Sequence, residues 1–374
     1  MATDKIQLLR SQMKGAFIER DGEIDAMLTA LIAGEHILFL GPWGTAKSAV
    51  ANSLSKALGC NSFSILLTKH TNPEEVHGPW DLPLLKKGQY TRITKGRFPE
   101  AKVAFLDEIF KSSSALLNGF LTALNERQFD NGGVRQDIPL DFCIGASNEL
   151  PQDESLGALF DRFLVRRWVN YISDRDSRRT LLLLKGDPTD SITVKITEEE
   201  LADLQKERGA VDYSGIVEAA LDLGEDMAEA GLEISDRRWR KLMKLVQASA
   251  LLNGRTVATT EDLMPLADAV WDDPQDYAKV YGLVAKVVSP DLQKALVLLD
   301  AATELYQKSG CAKSDLTNGE ALAQAASTNR ELQNICEQME NLDQSGQVVD
   351  AAQKVRRMHD SLGRRLQSAV MGNW

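Results

Sequence analysis

The sequence predicts an α/β nucleotide-binding core, a sandwich of helices around a parallel sheet, followed by helical domains. Three short apolar runs predict it, each ending in residues suited to a phosphate ligand. Ile37-Leu38-Phe39-Leu40 leads into Gly41-Pro42-Trp43-Gly44-Thr45-Ala46-Lys47-Ser48. Val103-Ala104-Phe105-Leu106 ends in Asp107-Glu108, and Phe142-Cys143-Ile144-Gly145-Ala146 ends in Ser147-Asn148. Continuous apolar runs of this length are strands buried on both faces, and open α/β sheets bind ligands at the strands' C-terminal ends.

The first turn has the strand–loop–helix context of a phosphate-binding loop. Gly41, Trp43, Gly44, Thr45, Ala46, Lys47, Ser48 and Ala49 line the predicted nucleotide site. Backbone N–H groups wrap the phosphates, Lys47 adds a point charge, and the Ser48 hydroxyl faces Mg²⁺. Ala46 stands where such loops usually have Gly; because it carries a Cβ, the expectation is a negative φ, a left-handed backbone costing roughly 1–2 kcal/mol. Trp43 puts an indole near the nucleotide, packed on the loop's outer side. Asp107 is the second predicted Mg²⁺ ligand, Glu108 orients and polarises the attacking water, and Asn148 sets an amide beside the same crevice. Lys47, Asp107-Glu108 and Asn148 occur in the order of a hydrolytic ATPase that takes ATP and Mg²⁺.

Around these strands, apolar spacing predicts a helix over 16–34 and another from Ser48 to Leu58, closed by Gly59 as a left-handed C-terminal residue. A strand follows at Phe63–Leu67. The stretch Thr71–Glu100 holds Pro73, Pro79, Pro83 and Pro99, so it is no continuous helix; Leu84–Ile93 within it reads as a hairpin. Leu116, Leu117, Phe120, Leu121 and Leu124 predict an amphipathic helix over Ser112–Glu126, and Asn131-Gly132-Gly133 turns a hairpin before the Phe142 strand. After Asp187-Pro188 nearly everything has helical period, with starts near Thr197, Ser235, Thr260 and Pro274. The expected domains are a core over 1–190, a helical lid over 191–275 and a C-terminal helical domain over 276–374. In the last helix Val348, Ala352, Val355, His359, Leu362, Leu366 and Ala369 follow a 4-3 rhythm, predicting a hairpin with the Glu320–Asn341 segment. Lys354, Arg356, Arg357, Arg364 and Arg365 form its basic face.

Composition narrows the class. Of 374 residues, 43% are hydrophobic and 26% charged, an ordinary globular balance. No apolar run approaches the ~20 residues of a membrane span, and the N-terminus lacks a signal-peptide core. Cys60, Cys143, Cys311 and Cys336 have no paired or metal-like spacing, which reads as reduced thiols of a cytoplasmic protein. A net charge of −11 argues against a long nucleic-acid surface.

Six separated motifs resemble the MoxR group of AAA+ ATPases, its RavA-like branch above all. They are Gly41–Ser48 with its Ala46, Thr71-Asn72-Pro73-Glu74-Glu75-Val76, Phe105–Ile109, Leu121–Arg127, Ala146–Pro151 and Ser235-Asp236-Arg237-Arg238-Trp239. The resemblance covers roughly residues 10–270. It implies a P-loop AAA+ αβα sandwich with a helix-2 insert, an all-α lid and a C-terminal helical domain. It also implies a homo-oligomeric, usually hexameric, ring with ATP between subunits. Lys47, Ser48, Asp107 and Glu108 match the Walker motifs and Asn148 matches sensor 1. Arg162 falls where relatives place the trans arginine finger, with Arg166 and Arg167 as rivals. Arg237 matches sensor 2, with Arg238 the alternative and Ser235 or Asp236 as N-cap. The 71–100 stretch corresponds to the helix-2 insert and Gln128–Leu140 to a pre-sensor-1 hairpin, elements that face the pore. The family implies a chaperone-like remodeller acting on a protein client with a von Willebrand factor A (VWA) partner. The region after the lid is short beside RavA-like proteins. Two rival readings are a nucleic-acid motor, favoured by Lys86, Lys87, Arg92, Lys95 and Arg97 in the insert, and a slowly hydrolysing assembly scaffold.

Overall fold

The computed structural model describes residues 2–151, 154–308, 319–342 and 346–371. Contacts divide the chain into two compact units, Met1–Tyr277 and Ala278–Trp374.

The first unit opens with two helices, α1 (Ala2–Ala16) and α2 (Asp21–Ala33). Only the second lies in the span read as helical from apolar spacing. In α1 the buried positions are Ile6, Leu9, Met13 and Ala16, spaced by three and four, so it carries a narrow apolar stripe in an otherwise polar stretch. Gly34 ends α2 in the left-handed region, at φ 71°.

A five-stranded parallel sheet follows in the order β2-β3-β6-β1-β7, built from β1 (Ile37–Leu40), β2 (Ser62–Leu66), β3 (Val103–Asp107), β6 (Phe142–Ser147) and β7 (Val165–Trp168). The separate hairpin of β4 (Gln128–Asn131) and β5 (Val134–Asp137) turns on Gly132-Gly133, as expected. Every residue of β1 and β6 is buried, and Val103–Leu106 of β3 are too. Helix α3 (Lys47–Ala57) carries the β1-to-β2 crossover one way along the sheet. Helices α6 (Ser114–Glu126) and α7 (Glu154–Phe160) carry the returns the other way. Right-handed crossovers therefore put α3 on one face and α6 and α7 on the other, giving the αβα sandwich. Helix α3 ends differently from the expectation: Leu58 turns extended (φ −80°, ψ 115°) and bridges to Ile196, so no left-handed Gly59 is needed.

The proline-rich insert holds two short helices, α4 (Pro73–His77) and α5 (Leu82–Leu85). The second replaces the hairpin expected over Leu84–Ile93. Asp81 accepts from Leu84 N at 3.1 Å and Pro83 sits in the first turn, so a helical turn wins; pairing survives only as the Trp80–Arg92 bridge. Asn131 of the β4–β5 hairpin accepts from Arg92 N at 2.7 Å and donates to Arg92 O at 3.3 Å, which ties insert and hairpin together.

After β7 come α8 (Arg175–Leu183), α9 (Glu198–Gly209), α10 (Val217–Glu229) and α11 (Asp236–Leu252), then a 3-10 stretch at Thr260–Asp268. Thr197 and Glu200 form a capping box on α9, and Ser235 caps α11. Of these, α9 and α11 pack on α1 and α2. Glu35, 5% exposed, takes Lys241 at 3.0 Å and Lys244 at 2.9 Å, and Arg208 donates to Ala33 O at 2.6 Å. Helix α12 (Tyr277–Val288) spans the unit boundary.

In the second unit α13 (Pro290–Lys308), α14 (Gly319–Glu340) and α15 (Gly346–Met371) pack on one another. The expected seam is present: Val348, Val355 and Leu362 of α15 are buried, as are Leu332, Cys336 and Met339 of α14, and the two helices pack together. His359 is a packed residue there, with Nε2 3.4 Å from Asn329 Nδ2 and Nδ1 3.1 Å from Asp360. Cys60, Cys143 and Cys336 are free thiols; Cys311 lies outside the described residues. Among the described residues no helix is long and apolar enough to cross a membrane.

The insert's core is aromatic. His77 stacks on Phe129 at 5.2 Å between centroids, with Phe98 and Phe120 against its other edges. Burial, with Arg92 nearby, lowers its pKa to about 4. The unfolded chain therefore binds a proton between pH 6.5 and 4 that the folded chain does not, so stability present above pH 6.5 is lost as pH falls. The expected His77 contribution at pH 5 is a loss of about 2 kcal/mol. Urea midpoints at pH 7.5 and 5.0 should differ less in His77→Phe than in the wild type; an equal difference would remove His77 as a source.

Candidate active site

β1, β6 and β3 are neighbours in the sheet, so the segments after Leu40, Ser147 and Leu106 arrive together at its C-terminal edge. Gly41 N donates to Ser147 O at 3.1 Å, joining loop to strand end. Gly41 has φ 142°, and a Cβ there would lie 2.2 Å from Val169 O, so only glycine fits.

The loop then departs from one expectation. Ala46 sits at φ 67°, in the left-handed region, as does Gly44 at φ 73°. Alternating left- and right-handed residues set successive N–H groups along one concave side of a turn, and the loop takes such a step at Ala46 despite the Cβ. Neighbours hold the strained turn: Arg20 Nε donates to Thr45 O at 2.9 Å, and Thr45 Oγ1 donates to Pro42 O at 2.9 Å. Lys47 Nζ donates to Gly41 O at 2.7 Å and Pro42 O at 2.8 Å. Partial burial lowers its pKa, while the carboxylates of Glu108 and Asp107 act in the opposite sense.

Ser48 Oγ donates to Asp107 Oδ2 at 2.7 Å, which brings the two predicted Mg²⁺ ligands together. A hydroxyl and a carboxylate are hard oxygen donors, the chemistry Mg²⁺ takes, and two such ligands suit an ion that keeps waters and substrate oxygens in its shell. Glu108 also has a left-handed backbone, φ 53°, with its N–H on Asp107 Oδ1 at 3.0 Å and its carboxylate 3.3 Å from Lys111. The Asn148 amide lies between two partners. With the amide oriented to suit both neighbours, its nitrogen donates to Glu108 Oε2 at 2.6 Å and its oxygen accepts from Trp43 Nε1. The indole of Trp43 is 70% exposed and turned toward Asn148, not packed on the loop's outer side. Thr45 is buried, and Ala49 lies in the first turn of α3.

The arginines after β6 separate by environment. Arg166 is fully buried: Nε donates to Phe163 O at 3.1 Å, Nη1 donates to Trp271 O at 2.6 Å and pairs with Asp272, and its guanidinium lies 4.1 Å over Phe160. Burial, then Arg238's charge, push it down to about 10, against the pull of Asp272 and Asp161. Arg167 grips both Asp268 oxygens at 3.0 and 3.1 Å and Tyr277 at 3.0 Å; burial opposes its charge, but Asp268, Tyr277 and Glu23 outweigh it and the pKa is raised. Among the described residues Arg162 donates to Ala158 O alone, at 3.1 Å, and its Nε has no partner. The lid pair also divides: Arg238 donates to Ala269 O at 3.0 Å and reaches Asp272 at 3.3 Å, whereas Arg237 is exposed and meets Asn125. Asn125 escaped the sequence reading as a site residue, although it lies in the Leu121–Arg127 motif.

Comparison with known proteins agrees with this arrangement. Residues 4–206 match the family model described as the MoxR domain in the MoxR-vWA-beta-propeller ternary systems, and residues 215–284 match an AAA lid domain. An uncharacterized protein of Methanocaldococcus jannaschii is 36% identical over 306 residues, 80% of each chain. Chaperone MoxR1 of Mycobacterium tuberculosis is 21% identical over 297 residues, 75% of this chain and 78% of that one. A crystal structure of a presumed ATPase from Cytophaga hutchinsonii superposes with a TM-score of 0.60 at 18% identity, covering 77% of this chain and 94% of that one, a likeness of fold.

The arginine environments make a direct test. Arg166→Met strands buried carbonyls of Phe163 and Trp271 and should cost roughly 1–3 kcal/mol. Arg162→Met, losing one exposed contact, should stay within about 0.5 kcal/mol. Thermal denaturation of both variants checks the order, and the reverse order would overturn this division.

Proposed function

The chain belongs to the MoxR family of AAA+ ATPases, and from that premise we propose that it is a Mg²⁺-dependent ATPase whose subunits form a ring, hexameric in the family pattern, that remodels a protein client. The observation that carries this reading is the convergence at one sheet edge of Lys47, the Ser48–Asp107 pair and the Glu108–Asn148 hydrogen bond of 2.6 Å. In this reading the inward N–H groups of Gly44–Ser48 bind the β- and γ-phosphates. Lys47 exchanges its bonds to Gly41 O and Pro42 O for phosphate oxygens. Ser48 and Asp107 hold Mg²⁺, which supplies charge neutralisation on the phosphates when bound. Glu108 orients the attacking water and takes its proton, while Asn148 fixes the Glu108 carboxylate. Because the reaction needs little covalent chemistry from the protein, positioning and charge stabilisation carry it.

Arg162 is our trans finger. Its rivals Arg166 and Arg167 are held by Asp272 and Asp268, so neither is free to reach a neighbour's phosphate. On the same reasoning Arg237 is sensor 2, since Arg238 is bound to Ala269 O and Asp272. Within the family we place the chain in the RavA-like branch on its loop and its Ser235–Trp239 motif. The matched domain model is described from systems that contain a vWA component, which favours a VWA-domain partner here. A protein client is favoured over nucleic acid because two basic residues of the insert serve the fold: Arg92 lies 3.8 Å over Trp80, and Arg97 donates to Glu75 O at 3.0 Å. The insert and hairpin, joined through Asn131 and Arg92, form one client-facing element. We assign the three regions 1–190, 191–275 and 276–374 to core, lid and C-terminal domain, and place the protein in the cytoplasm.

ATPase rate against protein concentration, with particle mass recorded with and without ATP, tests the reading. Turnover per subunit should rise steeply as particles assemble; flat turnover from monomers would leave a self-contained switch. Glu108→Gln should bind ATP with wild-type affinity, lose at least 100-fold in turnover and hold the assembly together; unchanged turnover would remove Glu108 from the mechanism. Arg162→Ala and Lys47→Ala are each expected to be inactive alone. Mixed, they should recover part of the activity through interfaces that combine an intact finger with an intact loop, provided native mass measurements show mixed particles. Mixed particles without any recovery would place the finger elsewhere.

A further inference from the structure

Helix α8 has no buried residue, and every residue from Arg178 to Asp187 is exposed. It is nine residues long. Isolated helices below ~12–15 residues are marginal in water, and most helical stability comes from packing an apolar face. Its end nevertheless carries Leu181, Leu182, Leu183 and Leu184, exposed by 48, 84, 70 and 42%. A contiguous apolar cluster of this kind on a short helix marks a surface that another molecule covers. Beside the leucines stand Arg175, Arg178 and Arg179 on the helix and Lys185 just after it, with Asp176 the single acid of the helix.

The same unit offers the complementary surface. On α10 the buried side is Ala220, Leu223 and Met227, while Val217 and Leu221, one turn apart, are exposed by 37 and 57%. Glu218, Asp222, Glu225, Asp226 and Glu229 make this helix acidic, with no basic residue in it. One basic apolar helix and one acidic apolar helix on the same chain are complementary, and pairing them between copies is a heterologous contact, which gives a ring where the rotation closes and a filament where it does not.

We propose that α8 of one copy docks on α10 of the next, the leucines of α8 covering Val217 and Leu221 while Arg175 and Arg179 face Glu218 and Asp222. The occupant of the leucine cluster is therefore a second copy of this chain. The assignment rests on the ring reading above and names the faces that make the ring.

Particle mass with ATP tests it. Leu182→Glu/Leu183→Glu should remain monomeric at concentrations where the wild type assembles, with unchanged circular dichroism from the rest of the chain. Arg175→Glu/Arg179→Glu should need at least 10-fold more protein to assemble, and adding Glu218→Arg/Asp222→Arg in the same chain should restore assembly. An oxidised mixture of Leu182→Cys and Leu221→Cys chains should give a reducible dimer that neither gives alone. Assembly of the leucine variant at wild-type mass and concentration, without the mixed dimer, would overturn these faces and leave the ring reading standing. A wild type that stays monomeric with ATP at every concentration would overturn both. Binding to phosphatidylserine vesicles that the leucine variant loses, without any change in mass, would assign the cluster to a membrane surface instead.

Discussion

Parallel pairing of β1 with β6 and of β6 with β3 is the constraint on which the rest of the site depends. It brings together three segments that lie more than thirty residues apart in sequence, at the edge where peptide N–H groups and strand-end side chains point outward. Once the strands are in register, Ser48 has to meet Asp107 and Asn148 has to meet Glu108, because loop and strand ends occupy the same few ångströms. The hydrogen bond from Gly41 N to Ser147 O shows how closely the loop is set by its neighbour. Backbone strain at Ala46 and Glu108 flanks this junction, held by Arg20 on one side and by the Asp107 carboxylate on the other.

Charge is partitioned with equal economy. Arginines that pin the core to the lid, Arg166, Arg167 and Arg238, converge on Asp161, Asp268 and Asp272, and a guanidinium as buried as that of Arg166 needs partners to be tolerated at all. Arg162, half-buried, and Arg237, exposed, have no carboxylate partner among the described residues. Sequence order cannot separate these groups, since Arg166 and Arg167 are adjacent and so are Arg237 and Arg238. Tertiary environment separates them at once.

What the sequence made legible follows the same division between local and distant causes. The three central strands were readable because each is a continuous apolar run, and the helix starts near Thr197 and Ser235 because their signals lie within one turn. The β4–β5 turn was readable because Gly132-Gly133 needs no partner to turn. Helix α1 was missed because its apolar stripe is narrow and is completed by elements distant in sequence, α9 and α11 among them. The left-handed Ala46 was misread because a Cβ argues locally for negative φ, while the demand for inward N–H groups comes from the loop as a whole. The Leu84–Ile93 hairpin failed against a local competitor, the Asp81 cap, and Trp43 could be aimed at Asn148 only by the fold.

The segment Glu19-Arg20 gives these observations a common consequence. Arg20 donates to Thr45 O in the phosphate loop and, through Nη2, to Asn170 O at 2.9 Å. Glu19, itself left-handed at φ 53°, accepts from Ser173 N at 2.9 Å and from Asp174 N at 3.1 Å, and Asp174 is the N-cap of α8. Two adjacent residues thus hold the strained turn of the loop and the first turn of the exposed helix. Whatever covers the leucines of α8 stabilises a helix whose start is fixed to the same backbone that fixes the loop. The hydrogen bonds of Glu19 and Arg20 therefore set the phosphate-loop turn and the cap of α8 on one short piece of chain.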